Sequence, residues 1–345
     1  MNAPLNLRAG RRQGATALQQ RGFGLVEVMV ALVLGLFVVG GAVVLLMTTR
    51  QANSATENLS RVQDSVRTSF DLVSREIREA GSTPCDAQQN MANVLHEAQA
   101  TPPAWWASWD EPVRGYGGST AFPGAAFGSA VGERVDGTSA ILARYGSPTD
   151  SIAVTSHDTA SATFTMNKPE HSVRVNDVVM VCNYRNAAIF RVTAVDTTAG
   201  TVTHAESAGA PGNCSKGLGM PTDCSSATGH TYQFTPGSLF GRFTTVGWYI
   251  GNNGRAGSGG RSLYRVTRLG VEEVADGVRD MQITYLTPAG TDYVVATSVS
   301  NWSEVLAVRF DISFESPEAT AGTGGTAQRL NRDVGFTVNL RNLQP

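Results

Sequence analysis

The chain has almost no lysine. Of its 27 lysine and arginine residues, only Lys168 and Lys216 are lysines, and no Gly-x-x-x-x-Gly-Lys motif occurs, which excludes a P-loop nucleotide site. Gly-x-Ser-x-Gly, His-Glu-x-x-His and EF-hand motifs are also missing. The five histidines have no partner at the spacing of a metal or catalytic site: His96, His157, His171, His204 and His230. We therefore expect no enzyme, no catalytic residue, no cofactor and no metal site.

Acidic residues outnumber basic residues outside the N-terminus. Residues 1–22 contain four arginines (Arg8, Arg11, Arg12 and Arg21) and no acid. The whole chain carries a net charge of −2, so removing these four positive charges leaves −6 on the remainder. A nucleic-acid-binding surface needs a basic footprint. We expect no nucleic-acid partner.

A long apolar run follows the arginines. From Phe23 to Met47 the only charged residue is Glu27. About 20 apolar residues in a helix cross the hydrocarbon core of a bilayer. The arginine-rich flank should stay in the cytoplasm, with the rest of the chain on the far side.

Glu27 distinguishes this run from a plain anchor, because a carboxylate inside a membrane segment costs a few kcal/mol on insertion scales. A cut between Gly22 and Phe23 would create an α-amino group that can pair, in low dielectric, with Glu27 of a neighbouring copy. An ordinary secretory signal has a shorter apolar core. A plain signal anchor leaves Glu27 unexplained, and a buried core helix leaves the arginine flank unexplained.

The helical pattern continues beyond the apolar run and becomes amphipathic. One apolar stripe is formed by Leu59, Val62, Val66, Phe70, Val73 and Ile77. No proline interrupts Phe23–Glu79, and Gly81 followed by Pro84 is a stop signal. The stripe predicts packing against a globular head. A coiled-coil dimer is the weaker alternative, because the stripe lasts less than three heptads.

The interior of the apolar half contains Gly35, Gly40 and Gly41. Glycine weakens a helix by about 1 kcal/mol relative to alanine. Two interpretations stay open. The glycines allow close helix packing in the bilayer, or they let the segment unwind when it leaves the membrane.

The remainder reads as β structure from Thr138 onward. The predicted strands are Ser139–Tyr145, Ser151–Thr155, Ala162–Met166, Asp177–Tyr184, Ala188–Val195, Phe243–Ile250, Ser262–Arg268, Val278–Leu286, Val305–Phe314 and Val334–Leu340. The low-complexity loops are Gly115–Gly137, Gly200–Gly229, Gly251–Gly260 and Ser316–Thr326. Such loops are usually mobile or contact surfaces. The predicted fold class is α+β: a long N-terminal helix packed on a mostly antiparallel, β-rich head.

Four cysteines on an extracytoplasmic domain suggest two disulfides. Cys214 and Cys224 bracket a short loop and are expected to pair locally. That leaves Cys85 to pair with Cys182, between the end of the helix and a strand. A zinc site is the rival interpretation, but no Cys-x-x-Cys occurs.

Three indoles are clustered within a few residues, at Trp105, Trp106 and Trp109. Tryptophan is enriched at binding hot spots, so these residues could form a partner-binding patch. Such indoles more often cover the edge of a core beneath a loop, and we favour that interpretation.

The N-terminus resembles a known family. Gly22-Phe23-Gly24-Leu25-Val26-Glu27, at the head of an apolar helix, is similar to the class III signal of type IV pilins and of type II secretion pseudopilins. In that family a prepilin peptidase cuts after the glycine and methylates the new N-terminal residue. The resemblance therefore implies cleavage at Gly22, methylation of Phe23 and a register-setting role for Glu27.

Motifs along the body resemble the PilW group of minor pilins. They are Arg75–Gly81 with Cys85 soon after, Asp177–Cys182, Ala188–Thr193, Ser262–Arg265, Gly277–Tyr285 and Val305–Phe310. Three residues separate Gly81 from Cys85, whereas the family usually keeps the cysteine closer. The family's frequent proline in the apolar half of the helix is absent.

The resemblance implies a domain plan and a set of partners. Residues 1–22 would be a cleaved leader, 23–80 the long helix (23–47 membrane or fibre core, 48–80 amphipathic), and 81–345 the head. The protein would sit in the inner membrane, with its N-terminus in the cytoplasm and its head in the periplasm, and later in the fibre or at its tip on the cell surface. Its partners would be prepilin peptidase, other minor pilins, the major pilin and, at the tip, a large adhesin-like protein.

The resemblance leaves the function with alternatives. It implies a minor pilin that primes type IV pilus assembly, takes part in the tip complex and so contributes to adhesion and twitching motility. A minor pseudopilin of type II secretion, similar to the GspJ kind, shares the N-terminal logic but usually has a smaller head. A membrane-anchored envelope enzyme or receptor would need a site that the sequence does not offer.

Overall fold

The computed structural model describes residues 24–85, 90–255, 259–288, 290–321 and 327–343, without the side chains of 148–151, 320, 321 and 327. Gly22 and Phe23 lie outside the described residues, so their predicted processing remains a prediction. The chain divides into two compact units, residues 1–54 and 55–345. The predicted fold class is confirmed: one long helix precedes a strand-rich head.

The long helix, α1, spans Leu25–Glu79 and ends where the sequence predicts. It stops because Gly81 adopts φ +77°, a left-handed conformation that favours glycine. A Cβ on Gly81 would also meet the Leu343 side chain at 2.6 Å. The Gly81 N–H donates to the carbonyl of Arg144 at 2.8 Å, which fixes the exit of the chain onto the sheet.

The head is built mainly on one large sheet. Its strands are β1 (Asn90–Asn93), β2 (Val113–Tyr116), β3 (Ala140–Asp158), β4 (Thr163–Met166), β5 (Val178–Cys182), β6 (Asn186–Arg191), β7 (Ala194–Asp196), β8 (Thr201–Thr203), β9 (Leu239–Asn252), β10 (Arg261–Thr267) and β11 (Gly270–Asp276). The order is β1-β6-β5-β9-β3-β4-β8-β7, with β10 also on β9, β11 on β10 and β2 on β3. The β1–β6 pair is parallel and the others are antiparallel.

A second, antiparallel sheet has the order β13-β12-β14-β17. Its strands are β12 (Val278–Leu286), β13 (Val294–Val295), β14 (Ala307–Glu315) and β17 (Asn331–Asn339). The remaining elements are the β15–β16 hairpin (Thr320–Ala321 with Ala327–Gln328), the short helix α2 (His96–Gln99) and 3₁₀ turns at Ala296–Ser298, Trp302–Glu304 and Arg341–Leu343.

The predicted division into strands is wrong in two regions. Ser139–Tyr145 and Ser151–Thr155 belong to the single strand β3, which changes partner along its length. Its first half pairs with β9 and its last residues pair with β4, and the β9 pairing shifts register between Pro148 and Ala153. This register shift is where the sequence suggests a turn. In contrast, the predicted strand Ala188–Val195 divides into β6 and β7.

The second half of α1 packs on the head as the stripe predicts. Val62, Val73 and Ile77 are buried, and they share a core with side chains from both sheets, including Trp248 and Phe310. Phe70 is only half-buried, and its ring meets Phe336 edge-on at 5.0 Å. The apolar stripe of α1 therefore packs against the head of the same chain.

Candidate functional site

The apolar half of α1 is exposed on every face. Its large apolar side chains from Leu25 to Met47 are between 44% exposed, at Val43, and 79% exposed, at Leu36. Burial of apolar surface stabilises by about 25 cal/mol per Å², so this half needs a lipid or protein environment. By its length and composition, α1 is long and apolar enough to cross a membrane.

Glu27 lies in the first turn of this segment. Its backbone N–H donates to the carbonyl of Gly24 at 2.9 Å, and its carboxylate is exposed. No described residue bonds or ion-pairs with that carboxylate. An acid near a helix N-terminus is favoured by the helix dipole. The partner expected for it, the amine of Phe23 in a neighbouring copy, lies outside the described residues.

The glycines of this half have no packing role within the described chain. A Cβ at Gly35, Gly40 or Gly41 would meet no atom within 4 Å. This observation does not decide between close helix packing in the bilayer and unwinding on leaving the membrane. Both would involve surroundings of the helix other than this chain.

Farther along α1, Glu76 fastens the helix to the large sheet. Its carboxylate lies 2.7 Å from the Arg265 guanidinium of β10 and accepts the Trp248 indole N–H of β9 at 2.9 Å. Burial alone would lower the pKa of Arg265, but the hydrogen bond and charge of Glu76 raise it above its ordinary value. The sequence did not identify this triad, because only Glu76 lies in the helical pattern.

Two disulfides brace the head. Cys85 and Cys182 join the segment after α1 to β5, with a Cα–Cα distance of 6.0 Å. Cys214 and Cys224 close a local loop, with a Cα–Cα distance of 5.2 Å. Both pairs are those named from the sequence. In the described residues, no group of three or more His, Cys, Asp or Glu side chains is placed to hold a metal ion.

The structure brings His157 and His204 together, a contact that the sequence did not indicate. Their Nε2 atoms lie 3.0 Å apart, and both side chains are buried. The Phe234 N–H donates to His157 Nδ1 at 3.1 Å. His157 therefore carries its proton on Nε2 and donates it to His204 Nε2. The two residues are 47 positions apart, too far for spacing to indicate contact.

The surroundings of this pair keep it neutral. His157 stacks on Phe164 with ring centroids 3.9 Å apart, and Phe190 and Phe234 lie nearby. Burial lowers the pKa of His157 to about 4. Burial, together with the His157 charge, lowers the pKa of His204 to about 3. At neutral pH the pair is an uncharged structural contact inside an aromatic core.

A family model described as the prokaryotic N-terminal methylation motif matches residues 18–43. This stretch contains Gly22, Phe23 and Glu27. No curated protein and no solved structure matches the chain. The motif and the exposed apolar helix support a protein of the pilin or pseudopilin type. Such a signal implies processing by prepilin peptidase and assembly with other pilins, and the helix fits anchoring in the inner membrane.

Proposed function

We propose that the chain is a minor pilin of a type IV pilus that primes assembly and takes part in the tip complex. One observation carries the proposal: an apolar helical segment that is exposed on every face contains one charge, Glu27, and coincides with the methylation motif. A packed core helix would not leave this surface uncovered. We propose no enzymatic activity, because the sequence lacks the P-loop, Gly-x-Ser-x-Gly and His-Glu-x-x-His motifs.

The proposed mechanism follows from the two environments that such a segment can occupy. Before assembly, residues 23–47 lie in the inner membrane with the head in the periplasm. Cleavage after Gly22 and methylation of Phe23 produce an amine that pairs with Glu27 of a neighbouring subunit. Leaving lipid exposes apolar surface, so the segment must be buried again against other subunits in the fibre. Glu27 sets the axial register of that packing.

The body motifs favour a type IV pilus over type II secretion. The segments that resemble the PilW group lie on the end of α1 and on β5, β6, β10, β12 and β14. They therefore cover the framework of the head and not one local element. The rival, a GspJ-like pseudopilin, shares the N-terminal features and a β-rich head, but its head is usually smaller.

The decisive experiment is mass spectrometry of the mature N-terminus, with protein purified from the native membrane. The expected terminal peptide begins at an N-methylated Phe23. A peptide beginning at Met1, or after Met47, would contradict both the pilin and the pseudopilin hypotheses. Gene deletion then separates the two: loss of surface pili supports the proposal, and loss of exoprotein release with normal pili supports the rival.

A further inference from the structure

A groove of about 740 Å³ opens on the head beside the tryptophan cluster. The name Trp105 groove is used here for the cleft lined by Trp105, Ser108, Asp110, Glu111, Tyr116 and Arg144. Trp106 and Trp109 do not line it, because they pack with Phe243 on the core that the sequence led us to expect. Of the three indoles, only Trp105 lines the groove.

One buried arginine holds both walls of the Trp105 groove. Arg144 on β3 is only 5% exposed. Its Nη2 donates to the carbonyl of Trp105 at 3.2 Å, and its Nη1 donates to the carbonyl of Glu111. Within the described residues no carboxylate ion-pairs with it, and burial lowers the pKa of Arg144. The groove is thus pre-organised, which reduces the ordering cost of binding.

The wall that carries Trp105 is also tied to the sheet. The carbonyl of Trp106 accepts the Thr245 hydroxyl at 2.9 Å, and the carbonyl of Ala107 accepts the Asn93 amide at 2.8 Å. Three successive carbonyls of an irregular segment are therefore bound by side chains of strands. Such support suits a site that must keep its shape.

The groove presents aromatic surface together with unused hydrogen-bonding groups. Trp105 and Tyr116 pack on the core cluster beneath, which contains Phe122. Their indole N–H and phenol O–H make no hydrogen bond with any described residue. Among the described residues, the exposed carboxylate of Asp110 accepts only the Ser108 hydroxyl, at 3.3 Å. Donors and acceptors are both available beside flat apolar rings, as in small-molecule sites.

The charges of the groove cancel. The lining carries two acids, Asp110 and Glu111, and two bases, Arg114 and Arg144. Glu111 is paired with Arg114 at 2.5 Å. This balance disfavours a strongly anionic or cationic ligand. A proline-rich peptide suits aromatic grooves, but proline has no N–H to donate to Asp110. A sugar ring has an apolar face, and each of its hydroxyls both donates and accepts. We infer that the Trp105 groove binds a neutral oligosaccharide.

The test uses the full-length chain in a zwitterionic detergent that contains no sugar. Calorimetric titration with cellohexaose, maltohexaose, mannohexaose and N-acetylchitohexaose is compared with titration of deca-proline and of oligogalacturonate. We expect saturable binding of at least one neutral hexasaccharide and none of the other two. If no neutral hexasaccharide binds at up to about 10 mM, or if deca-proline or oligogalacturonate binds in its place, the inference is overturned.

Variants locate the binding. Trp105→Leu removes the indole, and Asp110→Asn removes an exposed charge with little risk to folding. Each should weaken sugar binding about tenfold, the cost of one lost contact to a charged or stacked group. Tyr184→Ala, which removes an aromatic ring that is 74% exposed elsewhere on the head, is the matched control and should bind like wild type. Wild-type affinity in Asp110→Asn, with an unchanged melting temperature, would place the sugar outside this groove.

Discussion

The carboxylate of Glu76 lies 2.7 Å from the guanidinium of Arg265, across 189 positions of sequence. Glu76 is 13% exposed and Arg265 is 26% exposed, so water screens this pair much less than a surface ion pair. The same carboxylate accepts the Trp248 indole N–H. The end of α1 is therefore held to β9 and β10 by directed polar contacts as well as by its apolar stripe.

Removing the Glu76 carboxylate should destabilise the head strongly. Glu76→Ala leaves a partly buried cation and an indole N–H without their acceptor, at a cost of roughly 2–4 kcal/mol. Glu79→Ala is the control on the same helix, because Glu79 meets the exposed Arg75 at 3.7 Å and such pairs are worth less than about 1 kcal/mol. Urea unfolding followed by tryptophan fluorescence measures both. Equal losses would mean that the triad contributes no more than a surface pair.

Arg134 should order the predicted loop Gly115–Gly137. It is fully buried, and its guanidinium donates to the carbonyls of Gly117 and Thr120 at 2.8 Å each and to that of Thr138. Burial lowers its pKa to about 10. Arg134→Met leaves the carbonyls of Thr120 and Thr138 without this donor, whereas that of Gly117 keeps the Thr120 N–H at 3.0 Å. The expected cost is roughly 2–4 kcal/mol.

Limited proteolysis tests the role of Arg134. We expect cleavage within residues 117–137 to become at least tenfold faster in Arg134→Met. Arg185→Met is the control, because Arg185 is exposed and its guanidinium lies over the ring of Tyr184 at 5.3 Å. Unchanged cleavage of Arg134→Met would show that other contacts order the loop.

Elements whose signal is local were predictable. The apolar run, the amphipathic stripe and Gly81 predict α1, and its observed end at Glu79 agrees. Alternation predicts β14, which spans Ala307–Glu315. The methylation motif is equally local, since it depends on consecutive residues. In each of these cases the residues that form the pattern are close in sequence, so their spacing alone is enough to predict the element.

The tertiary pairs were not predictable. His157 meets His204, and Glu76 meets Arg265, only because elements distant in sequence become neighbours in the fold. The irregular segments also contain contacts that the sequence does not reveal. The Gly115–Gly137 loop reads as low complexity, yet the buried Arg134 binds two of its carbonyls, those of Gly117 and Thr120, and also the carbonyl of Thr138, just after the loop. No periodicity marks a residue whose partners are main-chain carbonyls of a loop.

The two disulfides should differ in their contribution to stability. The Cys85–Cys182 bridge spans 97 positions, whereas Cys214–Cys224 spans 10. In the chain-entropy model, the longer loop stabilises by about 2 kcal/mol more. Double serine variants of each pair, compared by urea unfolding, measure the difference. A larger loss from the Cys214/Cys224 variant would show that loop length is not the controlling quantity here.

The buried histidine pair should make the head acid-sensitive. Both pKa values are lower in the folded state, about 4 and about 3, than the ordinary value near 6.5. The unfolded chain therefore binds more protons, and stability falls as the pH drops from about 7 towards 4. Each imidazole contributes on the order of 3 kcal/mol over that range. The nearby charges are Asp158, beside His157, and Lys216, which acts on His204.

The free energy of unfolding is measured as a function of pH between 7 and 5. In this range its slope reflects the histidines more than the carboxylates, which titrate near pH 4. The His157→Gln/His204→Gln double variant should lose most of the slope, whatever its absolute stability. His230→Gln removes an exposed histidine whose Nδ1 meets the Pro221 carbonyl at 2.8 Å, and serves as the control. If the double variant keeps the wild-type slope, the pair does not titrate as the geometry requires.

Glu27 should be needed for assembly and not for folding. Glu27→Gln keeps the shape of the side chain but removes the charge that would pair with the Phe23 amine. It also removes the insertion cost of a carboxylate, a few kcal/mol, so membrane anchoring should persist. We expect at least a tenfold fall in the amount of protein recovered in sheared fibres, with an unchanged melting temperature of the head.

The matched control for Glu27 is Glu57→Gln on the same helix. Glu57 is exposed and meets Arg61 at 2.7 Å, a surface pair that contributes less than about 1 kcal/mol. Immunoblots of fibre and membrane fractions compare the two variants at equal expression. Because both substitutions neutralise one helical carboxylate, only position distinguishes them. Normal incorporation of Glu27→Gln, or equal losses in both variants, would contradict the register role, since a charge that sets register must act from the first turn of the helix.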